Sequence, residues 1–219
     1  MKLLIVGLGS MGKRRARLAK GIDPSIQIAG VDTNESRRTE ACGLGLTDAA
    51  YPSIGEAAAA FAPDAALVCT APLSHAAVIG ELLDHSLPVF TELNLVDDGY
   101  DQNLAKAAEK GVPLFLSSTM LYRREIQYIK DQVRQFDKPV HYIYHIGQYL
   151  PDWHPWENYK NFFVGNARTG GVREILGIDL PWLLDTFGPV EDLTVQVDSI
   201  SNLGLPYPDC ATLLLRHAS

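Results

Sequence analysis

Leu3-Leu4-Ile5-Val6-Gly7-Leu8-Gly9-Ser10-Met11-Gly12 opens the chain and decides how the rest of it reads. Four apolar residues make a short buried strand, and a Gly-x-Gly-x-x-Gly loop follows at once. Each glycine has a mechanical purpose: the first permits the tight turn, the second lets a pyrophosphate approach the backbone, and the third lets helix and strand pack closely. A helix is expected from Ser10 to Lys20, with Met11, Arg15, Leu18 and Ala19 at helical spacing and Gly21 closing it. Its N-terminus offers N–H groups and the positive end of its dipole to phosphates. A second β-rich run, Ile26–Val31, ends at Asp32. An acid about 20 residues past the last glycine is placed to accept hydrogen bonds from a ribose 2′-hydroxyl. It also repels a 2′-phosphate, so NAD is expected over NADP. Arg37 and Arg38 soften that preference unless they are simply a solvated helix face. Gly7, Leu8, Gly9, Ser10, Met11, Gly12 and Asp32 are thus the cofactor-binding candidates of this region.

Working outward, Ser36–Cys42 and Ile54–Phe61 read as short helices. Ala65–Cys69 is a strand, Ser74–His85 a helix, Pro88–Thr91 a strand, Asp97–Lys110 a helix closed by Gly111, and Pro113–Ser117 a strand. Such alternation indicates a parallel sheet covered on both faces, and the continuous apolar strands fit that burial. Near Ser118 the pattern changes. Arg123–Phe136 reads as a helix with Ile126, Ile129 and Val133 on one stripe, and Val140–Tyr149 alternates with period two like a half-exposed strand. Leu150–Thr169 has no clear period, Gly171–Phe187 reads as a helix with Pro181 as a kink, and Leu193–Ile200 and Ala211–His217 read as strands. The expected fold is α/β: a doubly wound Rossmann domain over residues 1–118, then a smaller α+β domain over 119–219.

The composition narrows the function classes. Of 219 residues, 47% are hydrophobic and 21% charged, and the formal net charge is −7, an ordinary balance for a domain with a real core. A surface of that sign does not favour nucleic acid or anionic lipid. No apolar run approaches the ~20 residues that span a bilayer. The first residues meet Gly7 and then Lys13-Arg14-Arg15-Ala16-Arg17, unlike a secretory signal, so a cytoplasmic protein is expected. Cys42, Cys69 and Cys210 form neither a disulfide framework nor a metal-ligand pattern.

Cys69-Thr70-Ala71-Pro72-Leu73-Ser74-His75 and Phe90-Thr91-Glu92-Leu93-Asn94, taken with the glycine loop, resemble the glucose–fructose oxidoreductase / inositol dehydrogenase family (Gfo/Idh/MocA). The resemblance implies a Rossmann domain joined to an α+β domain whose open sheet often forms an oligomer interface. It also implies hydride transfer between NAD(P) and a hydroxyl carbon of a sugar, cyclitol or related molecule. By resemblance Thr70, Pro72 and His75 line the cofactor cleft and Glu92 occupies the glutamate of a Glu-Lys-Pro motif. For His75, an ordinary place in the first turn of a helix is the rival reading. The lysine and proline of that motif are replaced by Leu93 and Asn94. In the Gly170–Asp179 stretch, Ile175 stands where the family carries an acid and Asp179 where it carries a histidine.

Two readings stay open. In one, the site is rebuilt: His154, Glu174 and Asp179 are the acid/base candidates, while Trp153, Lys160 and Arg173 hold a sugar-like or nucleotide-sugar substrate through an aromatic face and cationic groups. A packed loop is the alternative for residues 153–160. In the other, the chain binds a dinucleotide as a regulatory relative without turnover. The second domain is short for the family, which leads to the expectation of a homo-oligomer through its sheet.

Overall fold

A computed structural model of the chain describes residues 1–153, 155 and 157–218, which divide into two compact units, Met1–Ser117 and Ser118–Ser219. In the first, β1 (Lys2–Val6), β2 (Gln27–Val31), β3 (Ala49–Tyr51), β4 (Ala65–Val68), β5 (Val89–Thr91) and β6 (Leu114–Leu116) form one sheet in the order β3-β2-β1-β4-β5-β6. All five pairings are parallel. The helices are α1 (Ser10–Ile22), α2 (Glu35–Gly43), α3 (Ile54–Phe61), α4 (His75–Asp84) and α5 (Tyr100–Lys110). They cover both faces. Ala16 of α1 and Ala41 of α2 pack with Leu3, Ile5 and Ile28 on one side, while Ile54, Ala57, Ile79, Leu82 and Ala107 pack with Leu4, Val6 and Val68 on the other. Successive β1 residues thus point to opposite layers, which is why Leu3–Val6 is apolar throughout. The expected doubly wound parallel sheet is present.

Several local expectations needed correction. The buried face of α1 is Gly12 and Ala16, not the stripe through Met11 and Leu18, both of which are exposed. Small residues face the sheet because α1 lies close to it, and the larger ones turn outward. A Cβ on Gly12 would stand 1.9 Å from the Gly7 carbonyl oxygen, so helix and turn touch backbone to backbone. Strand β3, three residues long, carried too little pattern to be recognised.

The second unit contains α6 (Arg124–Val133), the short α7 (Leu150–Trp153), α8 (Val172–Phe187), β7 (Val190–Asp198) and β8 (Cys210–His217). β7 and β8 pair antiparallel, and α8 runs continuously through Pro181. Residues 140–149, expected as a strand, form none. Their alternation has another cause. Tyr142 stacks on Phe187 at 4.1 Å and bonds His217 through its hydroxyl at 2.8 Å, and Tyr144 meets Trp182 edge-on at 5.4 Å. These two alternate residues anchor a segment that has no ladder partner among the described residues. Of the expected α6 stripe, Ile126 is buried with Trp182 and Leu183 while Ile129 is exposed.

Gly12→Ala is expected to lower stability by about 1–3 kcal/mol through overpacking. Gly21→Ala, on the same helix with open space around its Cβ, should raise it by about 0.5–1 kcal/mol. Denaturant titration measures both; equal effects would contradict the close contact of α1 with the turn.

Candidate functional site

The carboxyl ends of β1, β2, β4 and β5 carry most of the sequence candidates, and the strand order reverses between β1 and β4. That is where an open α/β sheet leaves a crevice for ligands. Gly7 has φ +94°, and a Cβ there would lie 2.7 Å from the Cys69 backbone. The turn is therefore clamped between β1 and the end of β4, with Gly7 N–H donating to Val31 at 2.8 Å and Cys69 N–H to Val6 at 2.7 Å. Gly9 is the N-cap of α1, no side chain caps it, and the first turn contains no acid. A Cβ on Gly9 would meet nothing within 4 Å. The loop thus combines N–H groups at a helix start with open space above the backbone, and these features fit a diphosphate. Ser10 and Met11 lie exposed at this helix start. Leu8 differs: its side chain is fully buried against Gly30, and only its N–H serves the site.

That N–H donates to Asp32 Oδ2 at 2.9 Å, and Asn34 N–H donates to Oδ1 at the same distance. Each oxygen keeps a lone-pair direction for a ribose hydroxyl. Arg37 Nη1 lies 3.7 Å from Oδ2, and Arg38 Nη1 donates to the Asp32 carbonyl at 2.6 Å. Arg38 is thereby tied to the end of β2, while Arg37 remains exposed.

Thr70, Pro72 and His75 form the turn between β4 and α4. His75 is buried, with Nε2 2.9 Å from the Thr70 carbonyl and Nδ1 2.6 Å from the Asn94 amide. The carbonyl only accepts, so Nε2 carries a proton. Both ring nitrogens are engaged, and His75 clips the β4–α4 turn to the segment after β5. Thr70 Oγ1 accepts from Ser74 at 2.9 Å. Asn94, met in the sequence as a departure from a motif, is the other half of this clip.

Glu92 follows β5, and its carboxylate pairs with Arg15 Nε of α1. Arg15 also donates to Ser117 at 3.3 Å and stacks over Phe90 at 5.3 Å. In the sequence Arg15 reads as part of the α1 stripe and of a basic segment. The missed signal was its place three residues after Gly12, one turn along the close-packed face of α1. Cys69 lies beside this pair, and burial first and Glu92 second push its thiol up to about 12. It is a neutral, unreactive group.

In the second unit the candidates occupy separate environments. Trp153 packs with Phe162 and Phe163 at 5.9 and 6.1 Å. Lys160 extends over the Tyr159 ring and lines an open depression of about 440 Å³ with Glu157, Asn158 and two prolines. Arg173 is exposed. Glu174, in the first turn of α8, is partly desolvated, and burial pushes its carboxyl up to about 7. Asp179 is 2% exposed and accepts from Trp182 Nε1 at 3.0 Å, so it faces the interior. His154 lies outside the described residues, as does its neighbour Trp156. The residue that shapes this region without any sequence signal is Tyr207. Its ring packs so closely on Gly170 and Gly171 that a Cβ on either would lie 2.5–2.6 Å from it, and its hydroxyl bonds the Val164 carbonyl.

No curated protein sequence matches the chain. Among solved structures, an oxidoreductase from Agrobacterium radiobacter in complex with NAD+, L-tartaric acid and magnesium is similar over 99% of this chain, at 16% identity and TM-score 0.79. The WlbA dehydrogenase from Bordetella pertussis, in complex with NADH and UDP-GlcNAcA, is similar over 99% at 16% identity and TM-score 0.79. Apo scyllo-inositol dehydrogenase from Lactobacillus casei is similar over 62% at 19% identity and TM-score 0.56. The chain spans 63%, 65% and 41% of these three, respectively. At such identities the likeness is one of fold. The glycine turn, Asp32 and the sheet order agree with the match of residues 1–117 to the GFO_IDH_MocA oxidoreductase family, which has an NAD-binding Rossmann fold, and the chain belongs to that family.

Proposed function

We propose that the protein is an NAD-dependent oxidoreductase acting on a hydroxyl carbon of a sugar-like or nucleotide-sugar substrate. The observation that carries this reading is the Gly7–Gly12 turn locked to Asp32 through the Leu8 N–H, with open space above Gly9. When bound, NAD supplies the hydride acceptor, and the protein supplies orientation, electrostatics and the proton acceptor. Asp32 holds the adenosine ribose and the α1 N-terminus the diphosphate; the Thr70–His75 turn and Glu92 border the other half of the cofactor. NADP is the weaker ligand because its 2′-phosphate meets the Asp32 carboxylate.

For the proton, Glu174 is the acid/base candidate with a chemical argument. A carboxyl titrating at about 7 is matched to taking a hydroxyl proton near neutrality. Trp153, Lys160 and Arg173 are proposed as substrate contacts, an aromatic face for a sugar ring and two cations for an acidic substituent. Ligands of that kind, tartaric acid and UDP-GlcNAcA, occur in the similar structures. His154, the first acid/base candidate of the sequence, remains one, and Asp179 is another, acting from the interior of α8.

A dinucleotide binder without turnover is the second reading. Leu93 and Ile175 cannot transfer protons, and the buried Asp179 hydrogen-bonds the Trp182 indole where the family carries a histidine. A panel of sugars, cyclitols and nucleotide sugars, followed by the absorbance of the reduced cofactor, separates the two. Substrate-dependent NAD reduction supports the enzyme; tight binding with no reduction across the panel supports the binder.

A homo-oligomer through the second sheet is also proposed. Leu193, Val195 and Val197 of β7 share an apolar face with Leu215, Leu213 and Ala211 of β8, and the β7 three are 53%, 48% and 50% exposed. Light scattering should find a dimer or larger assembly that Val195→Glu dissociates; a wild-type monomer at micromolar concentration would contradict it.

Two further outcomes are expected. Gly9→Ala should leave the melting temperature within about 2 °C, since a ~0.5 kcal/mol surface change moves it little. It should weaken NAD+ about tenfold or more in calorimetry, because its methyl projects into the diphosphate space; unchanged affinity would count against the cradle. For Glu174 the sign follows from a carboxyl raised from an ordinary 4.5 to about 7. Substrate oxidation should rise with pH through about 7, and folding stability should fall as pH climbs from 4.5 through about 7 and then level off. Glu174→Gln should abolish both trends and lower kcat by about 10²–10⁴; a pH profile unchanged in that variant would remove Glu174 from proton transfer.

A further inference from the structure

Arg15 has no assigned part in the reading above, yet it pairs with Glu92 inside the crevice. Asp32 and the glycine turn occupy the β1–β2 side and suit the adenosine half and diphosphate. A dinucleotide laid across the switch point between β1 and β4 therefore carries its nicotinamide half over the carboxyl ends of β4 and β5. Those ends hold Cys69, Thr70 and Glu92, and Arg15 reaches them from α1.

The pair is more rigid than a surface ion pair. Nε of Arg15 bonds Glu92, Nη2 donates to Ser117 at 3.3 Å, and the guanidinium rests on Phe90, itself stacked on Phe115 at 5.5 Å. The side chains are 24% and 15% exposed, so solvent screens them only in part. Hydrogen bonding to Glu92 raises the guanidinium pKa further, and it stays charged at every working pH. Cys69 adds no charge, its thiol being held protonated. Two opposite unit charges thus stand at fixed positions near the place where the cofactor changes its own charge. The oxidised nicotinamide ring is a cation and the reduced ring is neutral.

We propose that Arg15 and Glu92 are a positioning pair that keeps this site balanced between the oxidised and the reduced cofactor, each charge offsetting the other. The proposal rests on the NAD-binding reading and adds to it. With both present the net field at the ring is small. Without Arg15 the Glu92 carboxylate favours the cationic ring; without Glu92 the guanidinium disfavours it. Unit charges about 10 Å apart at an effective dielectric near 20 change an affinity ratio by roughly tenfold. For a two-electron couple, tenfold is about 30 mV in the potential of the bound cofactor.

The test measures the dissociation constants of NAD+ and NADH separately, by calorimetry, for the full chain and for Arg15→Met, Glu92→Gln and Arg15→Lys. The ratio Kd(NAD+)/Kd(NADH) should fall about tenfold in Arg15→Met and rise about tenfold in Glu92→Gln. It should stay within about threefold of wild type in Arg15→Lys, which keeps the charge but loses the planar fork. A merely structural pair would weaken both forms by one factor and leave the ratio unmoved, and that result, or shifts of the same sign in the two variants, overturns the proposal. If Arg15→Met does not fold, the upward shift in Glu92→Gln and the retained ratio in Arg15→Lys decide the matter by the same criteria. Wild-type protein that binds neither form removes the cofactor reading itself, an outcome distinct from an unmoved ratio.

Discussion

The approach of α1 to the first turn is the constraint on which the remainder of the first unit depends. Gly12 meets the Gly7 carbonyl with no room for a side chain, and Gly7 in turn presses on the backbone at the end of β4. These two contacts fix where α1 begins, and hence where its N–H groups point. The Leu8 N–H, turned toward β2, finds Asp32. A buried carboxylate with two backbone donors is well satisfied, so the acid and the turn hold each other in place. Arg15 then follows one helical turn beyond Gly12 and reaches β5.

Much of this was legible in the sequence. Glycine spacing after an apolar strand and an acid at the end of the next strand are local signals, and the structure keeps both at the crevice. Side chains that join distant segments were not legible. His75 bonds Asn94 across 19 positions, and Arg15 bonds Glu92 across 77. In the sequence Arg15 reads as a helix residue and His75 as either a cleft residue or an ordinary helix one; neither reading gives the partner, which sheet topology sets. The α1 stripe failed for a related reason: close packing on a sheet selects Gly and Ala, and a search for large apolar residues finds the opposite face.

In the second unit the sequence pattern reported side-chain alternation, not hydrogen bonding. Residues 140–149 have the period of a strand because Tyr142 and Tyr144 dock on α8 and β8. Gly170 and Gly171 were legible as a pair, but their reason, the face of Tyr207, lies more than 30 residues away. Arg173, Glu174 and Asp179 share a helix without sharing surroundings: the first is exposed, the second partly desolvated, the third interior. Burial pushes the Glu174 carboxyl up to about 7.

The first unit is thus a parallel sheet with Asp32, the glycine turn and the charged pair at the carboxyl ends of its strands, and the proposed dinucleotide would meet them in that order. A crystal structure of the full chain grown with NAD+ tests that ordering most directly. The account predicts diphosphate density at the N–H groups of the Gly7–Gly12 turn and a ribose on the Asp32 carboxylate. A dinucleotide bound elsewhere, or a crevice that stays closed at saturating NAD+, would contradict it.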